Sequence, residues 1–177
     1  MEPQDRNTNL AVGLPLFLIC GYWLYQTIGI PHTVFDPPWV FLDFVNLIFH
    51  EAGHVIFMFF GDFLHVLGGS LTQLLIPLIA LFAFIRQGEG IAAGFSLFWL
   101  GESANNVSYY IADARTQALP LLGGDPAGHD WTWLLTYTHH LESDTAIGNV
   151  VRAIGIIAMC CGLLWMAYSL FMKFYEF

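Results

Sequence analysis

The chain has 177 residues, of which 56% are hydrophobic and 11% charged, and a formal net charge of −9. A soluble domain carries about 25% charged residues. The composition therefore excludes an ordinary soluble domain and predicts an all-α, polytopic membrane helical bundle, with residues 1–177 as a single integral membrane domain in the lipid bilayer. The acidic balance argues against nucleic acid as a partner and against docking on anionic lipid.

Met1 to Asn9 lacks the basic region of a cleaved signal, so the first apolar run reads as a retained anchor. That run, Leu10 to Ile30, is about long enough to cross the hydrocarbon core, and Pro31 ends it. Asp36-Pro37-Pro38 reads as a helix start, with Asp36 as N-cap. The helix runs to about Phe60 and is broken by Gly61-Asp62. Phe63 to Leu67, around His65 and before Gly68-Gly69, reads as a strand or an irregular re-entrant piece, able to hold a substrate segment by strand addition. Ser70 to Arg86 is a second span, with Pro77 as an expected kink. After the turn at 87–90, Ile91 to about Ala114 is a third.

Residues 115–146 form the long polar stretch, with Pro120 and Gly123-Gly124-Asp125-Pro126 marking loop. Within it, Trp131 to Leu135 reads as a short amphipathic helix at the membrane interface, with Asp130 as its N-cap. The last span is about Ala146 to Met172, capped by Asp144 or Thr145. The sum is about four spanning helices plus the helix at 38–60, which either crosses or re-enters. Cys20, Cys160 and Cys161 have no framework spacing and read as small packing residues.

The helix at 38–60 carries His50-Glu51-Ala52-Gly53-His54, an HExxH motif. Residues four apart share a helix face, so His50 and His54 can present two imidazole nitrogens to one metal ion. Glu51, one step round, is placed to act as a base towards an attacking water. Two histidines, an open coordination position and a carboxylate base suit Zn2+-assisted peptide hydrolysis. Seven histidines raise the odds of a chance match. Against that, both flanks of the motif are wholly apolar, and ionisable groups in such a setting are costly and kept for function. Asp43, Asn46, His50 and His54 form one polar stripe that should face inward, with Asn46 placed to hold the second ring nitrogen of His50. Gly53 and Ala52 leave room for another helix or a substrate backbone.

A catalytic zinc takes a third protein ligand. A metzincin would place glycine and histidine three and six residues after His54, but Phe57 and Phe60 stand there. Glu102, Asn106, Tyr109 and Asp113 form a second polar stripe that should face the motif helix. Asp113 is the first choice as ligand, supported by Asn106, and its structural role would be a boundary residue paired with Arg115. Glu102 is the alternative, or else a protonated acid bonded within the bundle. His129-Asp130 is a third option, and His139-His140 should be solvated.

HEAGH in an apolar helix, Gly61 shortly after it, the Gly68-Gly69 segment and a further hydrophobic helix resemble the core of site-2-protease-like intramembrane metallopeptidases. The resemblance covers about residues 37–86 and extends loosely to Asp113. It implies zinc on His50 and His54 and Glu51 as general base. The family's third ligand is an aspartate in an Asn-Pro…Asp-Gly context on a later helix, a string this sequence lacks. Asn105, Asn106 and Asp113 are its loose counterpart. The expected function is membrane-embedded zinc metalloprotease, acting on a peptide or membrane-protein substrate. The rivals are a non-catalytic membrane metal-binding or transport protein and an inactive protease-like scaffold.

Overall fold

The computed structural model describes residues 3–29, 41–119, 121 and 128–175. Among them there are α-helices and short 3-10 turns and no strand. The helices are α1 (Pro3–Gly29), α2 (Phe41–Phe57), α3 (Asp62–Gln87), α4 (Gly90–Ala112), α5 (Asp130–Tyr137) and α6 (Asp144–Tyr175). The all-α bundle expected from composition is what forms. Four helices are long and apolar enough to cross a membrane: α1, α2 with its 3-10 extension to Phe60, α3 and α6. The expected helix start at Asp36, the stop at Pro31 and the loop at Pro120 and 123–126 lie outside the described residues.

The expected span at Ile91 to about Ala114 forms as helix α4 but is not among those four helices, and a second expectation fails. Phe63 to Leu67 is neither strand nor irregular; it is the first turns of α3, which runs unbroken from Asp62 through Gly68, Gly69 and Pro77. The glycines serve packing rather than a chain break. A Cβ on Gly53 would sit 2.1 Å from Gly68 O, and one on Gly68 would sit 2.8 Å from Gly53 O. The two backbones thus touch where α2 crosses α3, which only glycine permits. The break between the helices falls at Gly61, whose φ of 87° suits a residue without a Cβ.

The frame is α4 against α6. Gly94 and Gly101 recur at seven residues, as do Gly148, Gly155 and Gly162, so each set keeps to one seam. A Cβ on Gly101 would lie 2.5 Å from Gly155 O, and one on Gly162 would lie 2.6 Å from Gly94 O. Phe98, Met159 and Met166 fill the seam's flanks and are fully buried, with Cys20 and Leu24 of α1 packed on them. The outward faces are apolar instead, with Leu18 and Tyr25 on α1, Phe44 and Ile48 on α2, and Ile157 and Leu164 on α6 all exposed. Meanwhile Asn46, Gln73, Glu102 and Ser103 are buried. An apolar exterior around a polar interior is the arrangement lipid selects.

All three cysteines are free; Cys20 is buried and Cys161 exposed.

Candidate metal centre

The stripe on α2 faces inward as its spacing requires. Asn46 is 1% exposed. Asp43, His50 and His54 line a cavity of about 660 Å³, together with Glu51, His65, Gln73 and Asn106. His54 Nδ1 donates to the His65 carbonyl at 2.9 Å, and His65 Nδ1 returns a bond of the same length to the His54 carbonyl. His50 Nδ1 lies 3.3 Å from Gln73 Oε1. Since a carbonyl oxygen only accepts, both rings carry hydrogen on Nδ1, which turns both Nε2 atoms towards the cavity.

The third group there is Asp130. Its Oδ2 stands 2.9 Å from His50 Nε2 and 3.1 Å from His54 Nε2. The three donor atoms lie within 4.8 Å of one another, the one trio of histidine, cysteine or acidic residues so gathered among the described residues. Ligands at about 2.0–2.2 Å from a tetrahedral zinc stand roughly 3.3–3.6 Å apart, so small side-chain rotations would open this trio onto a metal. A second observation agrees. A Cβ on Gly69 of α3 would fall 2.6 Å from His50 Nε2 and 2.7 Å from His54 Nε2. The helix thus leaves an empty corner where the two donors converge. The donor set, two imidazoles whose Nε2 protons a metal would displace and a carboxylate, fits zinc. The side chains are about a fifth exposed, so the cavity gives access to them.

Asp130 is ionised. Burial raises its pKa, but the hydrogen bonds from His50 and His54 outweigh burial and hold it down to about 2.

Local chemistry explains why Asp130 is available. It is not the N-cap of α5. His129 is, and its Nδ1 accepts from Thr132 N at 3.2 Å. That satisfies the orphan N–H and frees the Asp130 carboxylate one residue on. Trp131 Nε1 then donates to Ser70 Oγ at 3.1 Å, seating α5 on α3.

Asp113 and Glu102, the expected third ligands, are both engaged elsewhere. Asp113 accepts from Ala118 N at 3.0 Å and Leu119 N at 2.9 Å, closing the turn after α4. Its other neighbour is His129 Nε2 at 3.6 Å. Burial holds the His129 imidazole below its ordinary pKa despite that acid, so it sits there neutral. Asp113 therefore holds the turn after α4 and stands outside the trio. Arg115 pairs with Asp144 at 2.7 Å and with Glu142 at 3.0 Å, not with Asp113. Glu102 accepts from Asn46 Nδ2 at 2.8 Å. Asn46 Oδ1 accepts from Trp99 Nε1 and Ser103 Oγ, so Asn46 is occupied and Gln73 takes the place expected for it beside His50. The second stripe splits accordingly. Glu102 and Asn106 face α2, Tyr109 lies under the Arg152 guanidinium of α6 at 5.5 Å, and Asp113 faces α5.

Glu51 is exposed on the cavity wall, one residue from His50. His139 and His140 are exposed. Compared with known protein families, curated proteins and solved structures, the chain finds no match.

Proposed function

We propose that the chain is a multi-pass integral membrane zinc metallopeptidase, hydrolysing peptide bonds in or near the membrane. The observation that carries this reading is the convergence of His50 Nε2, His54 Nε2 and Asp130 Oδ2 on one corner of a cavity that Glu51 also lines. His50, His54 and Asp130 would hold the metal. When bound, zinc supplies Lewis acidity, polarising a peptide carbonyl and easing ionisation of water. The Nδ1–H bonds to Gln73 and to the His65 carbonyl orient the two rings. Glu51 takes the proton of the attacking water and passes it to the leaving amine. Phe63 to Leu67 is helical, so strand addition there has no part in this reading.

The test is Glu51→Gln in the purified full-length protein, with zinc content and cleavage of an unfolded peptide followed together. The reading expects wild-type zinc and a loss of cleavage of about 10²–10⁴-fold. Zinc binding with no peptide cleavage by the wild-type chain would instead favour a metal-binding or transport role. Loss of zinc from Glu51→Gln would show that the glutamate is a ligand and not a base.

A further inference from the structure

His50 offers metal only the nitrogen that carries no proton, so the side on which its proton sits decides whether Nε2 is available. That side is set by Gln73, whose Oε1 faces Nδ1 at 3.3 Å. An amide turned over would present NH2 there instead and demand the opposite tautomer. Gln73 is kept from turning. Its Nε2 donates to Asn106 Oδ1 at 2.9 Å, and Asn106 Nδ2 donates to Asp43 Oδ1 at 2.8 Å. The series ends on a carboxyl group, which accepts at that oxygen and fixes the direction of every bond before it. It also closes on itself, because Asp43 stands two helical turns before His50 on α2. The path leaves α2, crosses α3 at Gln73 and α4 at Asn106, and returns to α2. Asp43 also hydrogen-bonds Glu102, so this carboxyl is buttressed from a second side.

We propose that Asp43 and Asn106 are positioning residues which, acting through Gln73, hold the His50 proton on Nδ1 and leave Nε2 for the metal. The inference rests on the metal-centre reading for its purpose but not for its test. A clasp that merely held three helices together would be indifferent to bond direction; this one is not.

The tautomer is read first, by ring nitrogen NMR of histidine-labelled, metal-free, full-length protein carrying Asp130→Ala. In that background neither carboxylate nor metal competes for Nε2. The expected state of His50 is Nδ1–H. Adding Asn106→Leu should bring in the Nε2–H form. Replacing Asn106→Leu by the pair Asn106→Asp with Asp43→Asn should restore Nδ1–H. In that pair the carboxylate introduced at 106 accepts from Gln73 Nε2 and from the amide introduced at 43, so the direction at Gln73 is kept. Cobalt affinity of the chain with Asp130 intact is read second. Asn106→Leu should weaken it about 10–100-fold, the range for loss of an outer partner, and the exchanged pair should recover it. If His50 keeps the same tautomer in all three proteins, or if the exchanged pair behaves like Asn106→Leu, the proposal is overturned. Should Asn106→Leu not fold, Asn106→Ala, which also removes the acceptor for Gln73 Nε2, replaces it with the same expectations. A wild-type chain that binds no cobalt would end the metal-centre reading, while the tautomer would still decide the role of Asp43 and Asn106.

Discussion

Asp130 Oδ2 lies 2.9 Å from His50 Nε2 across eighty residues of chain. Asp130→Ala should therefore remove stoichiometric zinc, because two histidines rarely hold it alone. Asp113→Ala should act differently. It strands the Ala118 and Leu119 amides, costing about 1–3 kcal/mol of stability. Zinc analysis with thermal unfolding separates the two. Full zinc in Asp130→Ala, with loss in Asp113→Ala, would return the ligand role to Asp113.

Gly69→Ala should cost metal more than fold. Its methyl would contact the far tips of His50 and His54, side chains with room to swing into the cavity. The expected result is a folded protein with strongly reduced zinc, seen by metal analysis beside an unchanged circular dichroism spectrum. Wild-type zinc affinity here would mean that the corner beside Gly69 is not where the donors meet metal.

Gly53→Ala and Gly155→Leu should cost fold first. Each side chain would meet backbone of the facing helix, Gly68 O in one case and Gly101 O in the other. Backbone cannot swing aside, so each change should destabilise by about 1–3 kcal/mol or more. Unfolding midpoints in detergent check this; unchanged midpoints would deny the close crossings.

Zinc affinity should fall on acidification. Protons compete with metal for both Nε2 atoms. Asp130 is held down to about 2, so it stays ionised over the useful range and adds nothing to the slope. With two imidazoles in competition, affinity should drop by up to about a hundredfold per pH unit where protons hold both sites. In the metal-free protein the Asp130 contribution to stability is present above about pH 4 and is lost only as pH falls towards 2, the direction for a depressed acid. A pH-independent zinc titration would contradict histidine ligation.

The bundle and half of the centre can be read from local pattern alone. Apolar runs long enough to span, and four-residue spacing of His50 and His54, carry their meaning within a single helix. What failed depends on neighbours distant in sequence. Asp130 looks like an N-cap because aspartate commonly caps, and only the fold shows His129 in that place. Gly68-Gly69 looks like a break because its partners, Gly53 and the two histidine rings, belong to another helix. Gln73 sits in an apolar run and passes for a chance polar residue until α2 and α4 stand beside it. One sequence signal that the reading passed over could have found the frame: glycine at seven-residue intervals along both α4 and α6.

The eighty-residue separation of His50 from Asp130 also sets an order of events during synthesis. The helix bearing HExxH is made early, and α3 and α4 follow, but the trio is incomplete until α5 has emerged. A growing chain halted before that point carries two histidines and no third donor. Completion of the trio is thereby deferred until α5 is made, well after the helix that carries Glu51. On the proposed reading, a chain halted before α5 would lack the centre needed to cleave its neighbours in the membrane.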